Sequence, residues 1–551
     1  MDEVTLRRAI LHLADLGDTD ILPPLFEFQF YLGAVEPIVA RLLNYQFGTY
    51  CPVGAFEVLS PKTQTSFRIA HQLYATDSLL FTAAAIDVAP AIDERRLEPG
   101  CGAFSYRFDP DPTSSRLFND SCTFHDWLVS VTELCKSDSM FATDKLVLET
   151  DISDFYGRIY FHRIEHMLDD IEAKNSSRRI IENVIKSSRA RQSYGLPVGG
   201  AASRIIAEGV LIDIDTMLRR QGLSFTRYVD DFRIILDNPA AAHTALCKLA
   251  EHLMLTEGLS LNAAKTRITT ASSIVAEIEG KFSEVFTEEE RNGLGRYFQA
   301  IYDGEDVTDI LIDDIDSTTL ITKLKKILKS ENIDYTSVKL ILKALRATNV
   351  DNPVLFVEEF QSLLYFIPRD FCLLVGALAQ KNEPVAEEIA ERILTISKQS
   401  PHIEMTLARI WVNHLFVAGA LKITDLRLQE LPLKESIIEK RQNILLKGRL
   451  GDRAFFREGK TRFGDLSEWE KPAMMLAASC LATSEYEAWL NFCKDRYSDL
   501  FSLEYINWLK NNRVNLFEKL NVNFTIKSNK EKYVDVFANF NFKQIDVEAQ
   551  F

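Results

Sequence analysis

The sequence predicts an α+β domain followed by a long all-α region. Three observations predict it. Two short runs rich in β-branched and aromatic residues, Leu223–Val229 and Phe232–Leu236, flank the dipeptide Asp230-Asp231. An apolar run, Lys145-Leu-Val-Leu-Glu-Thr, ends in Asp151. From about Ala276 onward, strand signals give way to helical stripes opened by proline.

The first observation reads as strand, tight turn and strand, with Asp230 and Asp231 carried on the turn. A turn presenting two carboxylates side by side is costly unless a cation compensates their repulsion. Mg²⁺ suits such a pair, and the chemistry it would serve is nucleotidyl transfer. Most Asp-Asp dipeptides are solvated turns or helix starts, so the surroundings decide.

Upstream, Asp151 ends its apolar run in one of two roles: a cap for the next helix, or a third metal ligand delivered by a neighbouring strand. Ile164, Met167, Leu168 and Ile171 then follow helical spacing and define one buried face. Asp154 reads as a helix N-terminal charge. The segment Tyr194-Gly-Leu-Pro-Val198-Gly199-Gly-Ala-Ala-Ser-Arg204 is a Gly/Pro-rich loop opening a helix. Ile206, Val210, Met217 and Leu218 form that helix's stripe and Gly222 its stop. Small residues such as Gly199 let a flat ligand approach the backbone, although alone this reads as an ordinary loop before a helix. Asp213 and Asp215, on the same helix, read as solvated. Gly258-Leu-Ser-Leu-Asn262-Ala-Ala-Lys265-Thr266 closes the series, with Lys265 either a surface lysine or a partner of a triphosphate.

Composition bounds the alternatives. A chain of 551 residues predicts two or three domains. No run reads as long and apolar enough to span a bilayer, and the first residues lack the form of a signal peptide. The eight cysteines include no Cys-x-x-Cys pair, which fits a reducing cytoplasm and neither a zinc site nor a disulfide framework. His162 and His166 lie one helical turn apart, more simply a helix face than a ligand pair. The net charge of −16 opposes a protein that coats nucleic acid generally, but leaves room for a local basic cleft. Lys174, Arg178, Arg179, Lys186, Arg189 and Arg191 form the main candidate strip for backbone phosphates, and a solvated helix face explains them equally well.

In the C-terminal half, Asn352-Pro353, Pro368-Arg369, Glu383-Pro384 and Pro401-His402 each precede an apolar stripe with helical spacing. Successive helices of this length suggest an α-solenoid of HEAT-like character, without a crisp sequence repeat. Residues from about Asn521 to Phe551 read as a short strand-like or loosely ordered tail.

Taken in order, these motifs resemble the palm of a reverse transcriptase. They are an Asp followed by the aromatic pair Phe155-Tyr156, the loop Gly195-Leu-Pro-Val-Gly199, Tyr228-Val-Asp-Asp231, and Leu261-Asn-Ala-Ala-Lys265-Thr266. The resemblance covers roughly the first half of the chain. It is most similar to the bacterial abortive-infection and defence-associated group, on Gly195–Glu208, Phe67-Arg68-Ile-Ala-His71 and Phe104-Ser-Tyr-Arg107-Phe108. It implies a right-hand polymerase with fingers-like residues 1–120, a palm over 121–275, and a HEAT-like helical repeat domain with a short tail over 276–551. It implies that Asp151, Asp230 and Asp231 are catalytic and hold two Mg²⁺ ions, with Mn²⁺ as a substitute. Tyr156 falls at the family's steric gate against a ribose 2′-hydroxyl. Lys62 and Arg68, ahead of a helical segment, would clamp the triphosphate with Gly199 and Lys265, and Arg107 is a weaker candidate.

The family's usual Gln is Val198 here, which puts template-directed fidelity in doubt. The expected partners are dNTPs, a single-stranded DNA product, RNA, further copies of the chain and a phage-encoded trigger, in the cytoplasm and away from membranes. The leading expectation is a defence polymerase making DNA without a template and primed from a protein hydroxyl, with Tyr31, Tyr45 and Tyr50 as candidates. The alternatives are a reverse transcriptase copying a dedicated RNA, and a non-catalytic scaffold that senses a phage component.

Overall fold

The computed structural model describes residues 1–63, 65–99, 102–119, 121–136, 145–189, 192–283, 317–330 and 333–525. The N-terminal region is built from helices α1 (Glu3–Leu16), α2 (Glu27–Gly33) and α3 (Val35–Leu43), a hairpin of β1 (Ala55–Pro61) and β2 (Phe67–Leu73), and the long helix α4 (Ala75–Arg95). Asp2 starts α1 by accepting a hydrogen bond from the Thr5 amide. By length and composition α4 is long and apolar enough to cross a membrane, contrary to the expectation above. Its apolar window is 83% buried inside the protein, where it packs against α1, and it serves as a core helix.

The second unit is a four-stranded antiparallel sheet of β3 (Leu146–Asp151), β4 (Ser224–Tyr228), β5 (Asp231–Leu236) and β6 (Arg267–Thr270), in the order β4-β5-β3-β6. The period of two sorts its side chains. Val147 and Ile235 face a core made with Phe104, Trp127, Val131, Ala271 and Ile274, from helices α5 (Phe124–Lys136) and α11 (Ala271–Ser283) and a preceding loop. Leu148, Phe232 and Ile234 enter the main core on the other face. Between β3 and β4 run α6 (Phe155–Arg158), α7 (Phe161–Asp170), α8 (Asn175–Ser188) and α9 (Ala201–Arg220). Ile164, Met167 and Leu168 are buried on α7, as their spacing requires, and Gly222 follows α9 at φ +70°. After β5, Asn238 caps α10 (Pro239–His252), with proline in the first helical turn.

The described residues from 317 to 525 are helices and turns. Three of the proline-opened segments start where expected: Pro353–Glu359, Pro368–Lys381 and Glu383–Gln399. Pro401 instead opens a single 3₁₀ turn, Pro401–Glu404, and the α-helix begins at Thr406. This array grips the N-terminal region through buried polar contacts. Arg441 makes a forked pair with Glu27 at 2.7 and 2.9 Å, and the Trp411 indole donates to the Ile21 carbonyl at 2.8 Å. Thr76 donates to Asp499 at 2.7 Å. Of the expected tail, Phe524 is fully buried, and residues 526–551 lie outside the described residues.

Candidate active site

Register brings the acids together. Asp151 at the end of β3 pairs directly with Asp231 at the start of β5, so both carboxylates emerge on one face of the sheet. That face is graded. Val147 and Ile235 lie over the apolar core, Glu149 and Arg233 form the next cross-strand pair at 2.5 Å, and Asp151 and Asp231 come last. Arg233 also lies over the Trp127 ring, 5.2 Å from its centroid. Like charges directly opposite are destabilising, and a one-residue slip would send one carboxylate to the other face.

Asp230 is the third acid. Its carbonyl accepts from the Ile152 amide at 3.2 Å, which ties the turn to the end of β3. Its carboxyl is pushed up to about 7 by burial first, then by the charges of Asp151 and Asp231. Burial also raises Asp231, with Arg233 and Lys265 opposing. The cation at hand is Lys265, whose Nζ lies 2.8 Å from Asp151 Oδ2. Asn262 donates to the same oxygen at 3.2 Å, and its amide donates to the Asp151 carbonyl at 2.7 Å. Among the described residues, no three carboxylate, imidazole or thiol groups close on one point as a ready metal cage. The donor set nevertheless suits a hard divalent cation. It is all oxygen, from three carboxylates of which two are directly paired across the strands.

The turn is strained. Val229 has φ +56°, the left-handed region, which costs a residue with a Cβ about 1–2 kcal/mol. Its backbone is held from below. The Val229 amide donates to Ser105 Oγ at 2.8 Å, and its carbonyl accepts from Arg227 at 3.3 Å. Arg227 is fully buried, bidentate to Asp215 at 2.7 Å on both arms and bonded to Glu208 at 2.8 Å. Ser105 donates to the other Glu208 oxygen, and Arg96 pairs with Glu208 at 2.8 Å. This corrects the reading of Asp215, which is buried rather than solvated. Asp213, two residues earlier, is exposed and pairs with Arg163. The network was missed, yet two signals were present. Arg227 is a charge at an inward position of an apolar strand, and Glu208 and Asp215 lie seven residues apart on one helix face.

The loop 195–200 is pinned from both sides. The Gly195 and Leu196 amides donate to the carbonyls of Ile159 and Tyr156, each at 2.8 Å. Val198 is clamped to His71: its amide donates to His71 Nδ1 at 3.0 Å and its carbonyl accepts from the His71 amide at 3.0 Å. Burial lowers His71 to about 3, so the ring is neutral and able to accept. Gly199, at φ +124°, faces Thr19 so closely that a side chain would collide with it, and its carbonyl accepts from the Asp20 amide. Its small size is thus explained by its own chain.

Tyr156 lies beside this loop and within the electrostatic reach of Asp230. Arg68 is exposed on β2, within reach of the charge of Asp20, while Lys62 sits in the exposed turn of the hairpin. The Lys62 amide donates to the Ser66 carbonyl at 2.9 Å across that turn. Arg107 is corrected as a phosphate ligand: it is buried and donates to the carbonyls of Ala103 and Leu97. In the basic strip, three of the six residues have acidic partners and Arg179 is exposed. Lys174 pairs with Asp87, Arg178 with Asp169 and Glu182, and Lys186 with Glu165 and Glu182, while Arg191 lies outside the described residues. Of the tyrosines, Tyr31 and Tyr50 are buried with hydroxyls bonded to Thr76 and Asp77, whereas Tyr45 is half-buried. Asp154 precedes α6 and pairs with Arg158, and His162 and His166 are exposed.

Residues 103–340 match the family described as reverse transcriptase (RNA-dependent DNA polymerase). This segment is a reverse-transcriptase domain. The match contains the sheet, the acid turn, the pinned loop and Lys265, and it supports RNA-directed DNA polymerase-like nucleotidyltransferase activity. No curated protein matches the chain. Among solved structures, telomerase from Candida albicans, in complex with the TWJ fragment of telomeric RNA, is similar over 64% of this chain and 62% of that one. The identity is 12% and the TM-score 0.32, and the chain spans less than two thirds of that telomerase chain.

Proposed function

We propose that this protein is a DNA polymerase of bacterial anti-phage defence that joins deoxynucleotides by two-metal nucleotidyl transfer. The observation that carries the polymerase reading is the register pairing of Asp151 with Asp231, with Asp230 beside them. These three would hold two Mg²⁺ ions, or Mn²⁺ in their place. Such ions, when bound, activate the attacking hydroxyl and stabilise the pyrophosphate leaving group. Lys265, now on Asp151, would pass to the triphosphate, and Arg68 and Lys62 on the hairpin would be its further partners. The presence of all three acids opposes the scaffold alternative.

The defence reading rests on the resemblance of three segments, and two contacts support their acting as a unit: His71 holds Val198, and Ser105 holds Glu208. Loose template dependence is supported by Val198, which has no amide side chain and whose backbone groups are both bonded to His71. A protein hydroxyl would prime synthesis, with Tyr45 the least buried of the three candidates. The HEAT-like array would enclose the product strand and support a homo-oligomer in the cytoplasm. One feature favours a nucleic-acid path there. Lys339, Lys343, Arg346 and Arg369 line a groove of about 480 Å³, and Arg346 is lowered to about 10 by burial and by neighbouring Arg369.

Purified protein incubated with Mg²⁺ and each labelled dNTP tests the reading on a denaturing gel, with and without protease. Labelled product without added nucleic acid, shifted by protease, is the expected result. Product whose sequence follows an added RNA supports copying of a dedicated RNA, as the family description suggests. Labelling that persists in Asp230→Asn/Asp231→Asn overturns the site, and defence that survives loss of all three acids supports the scaffold reading.

Two substitutions probe the details. Tyr156→Ala removes the ring expected to exclude a 2′-hydroxyl. Relative kcat/KM for ribonucleotides should rise by about 10–100-fold, measured by competition between rNTP and dNTP. Lys339→Glu in the groove should weaken single-strand binding and flatten the log–log salt dependence by about 0.7 per lost phosphate contact. An unchanged salt slope removes the groove from the path.

A further inference from the structure

We infer that Ser105 and Glu208 are positioning residues for the metal site, acting through the left-handed backbone of Val229. The inference rests on the reading that Asp151, Asp230 and Asp231 hold divalent cations, and it concerns residues that make no contact with the acids themselves.

Val229 carries a β-branched side chain at φ +56°, a conformation that persists only when its surroundings impose it. Here both of its backbone polar groups are committed. The amide is held by Ser105 Oγ at 2.8 Å and the carbonyl by Arg227 Nη1 at 3.3 Å. Ser105 is fully buried, and its hydroxyl has a fixed direction because its proton is given to Glu208. The lone pairs of Ser105 Oγ are therefore aimed at Val229. Glu208 is oriented in turn by Arg227 and Arg96, both at 2.8 Å on its other oxygen. The chain of contacts runs from α9 through Ser105 to the residue immediately before Asp230. Rotation of Val229 out of the left-handed region would swing Asp230 away from Asp151 and Asp231. Carboxylate spacing is what a divalent cation reads, so the network sets metal affinity without touching the metal.

The test is Mn²⁺ binding by isothermal titration to the full-length protein, paired with steady-state dNTP kinetics. Ser105→Ala removes the acceptor for the Val229 amide and should weaken Mn²⁺ binding by about 10–100-fold. The kcat should fall with it, while KM for dNTP at saturating metal changes by less than about threefold. Glu208→Gln keeps the shape but loses charge and should show a smaller shift of the same sign. The decisive variant is the double substitution Ser105→Ala/Val229→Gly. Glycine adopts a positive φ without steric cost, so the double variant should recover Mn²⁺ affinity relative to Ser105→Ala alone. Wild-type affinity in Ser105→Ala, or no recovery in the double variant, overturns the inference. Equal Mn²⁺ binding by wild type and Asp230→Asn instead overturns the reading of the aspartates as metal ligands, and the inference falls with it. Circular dichroism and thermal melts of each variant separate both results from loss of fold.

Discussion

Asp230→Asn is expected to abolish nucleotidyl transfer while making the metal-free protein more stable than its parent. Asp230 carries a carboxyl lifted to about 7 by burial and by Asp151 and Asp231. Asparagine keeps the shape and removes the charge, so the repulsion between the acids falls. Relief of one close like-charge contact is worth on the order of 1 kcal/mol, a rise in Tm of about 1–3 °C for a chain of this size. Activity moves the other way. Loss of one of the carboxylates proposed to hold the metal ions should lower kcat by about 10³-fold or more. Melting curves with and without Mg²⁺ check both halves at once. The wild type should gain Tm on adding the ion through mass action, and Asp230→Asn should not. A variant that is less stable without metal, and that still responds to Mg²⁺, contradicts this account of the turn.

Arg227→Leu is expected to be the most destabilising substitution in the polymerase domain. Arg227 is fully buried and neutralises Asp215 on one edge and Glu208 on the other. Glu208 retains Arg96, but Asp215 is left buried without its cation. Breaking a buried pair from one side costs about 3–5 kcal/mol, read as a lowered urea midpoint. The double variant Arg227→Leu/Asp215→Leu removes both charges and should recover much of that loss, because two apolar groups leave nothing uncompensated. If the double variant is no more stable than the single one, packing rather than charge governs the site.

Much of the fold was legible in the residues. The β-branched runs became β4 and β5, the run ending in Asp151 became β3, and proline marked three helix starts in the C-terminal array. These succeed because strand and helix periods and proline's missing amide act over a few residues. Failures arose where the outcome depended on distant partners. Asp215 looked like an exposed helix acid until Arg227, from a later strand, was seen to meet it. The acidic neighbours of Lys174, Arg178 and Lys186, namely Asp87, Asp169, Glu165 and Glu182, come partly from other elements and were not legible in the strip itself. The apolar helix Ala75–Arg95 differs from a membrane span only in what surrounds it.

The sequence by itself determined which residues are candidates for the chemistry: two acids on a turn, a third at a strand end, a tyrosine after it and a lysine downstream. Those identities are local, and their order along the chain is enough to recognise them. The tertiary structure alone decided that Asp151 and Asp231 share a face, that Lys265 reaches Asp151, and that Ser105 and Arg227 hold the turn from beneath. Strand register and burial settle such matters, and both depend on contacts between residues far apart in the chain.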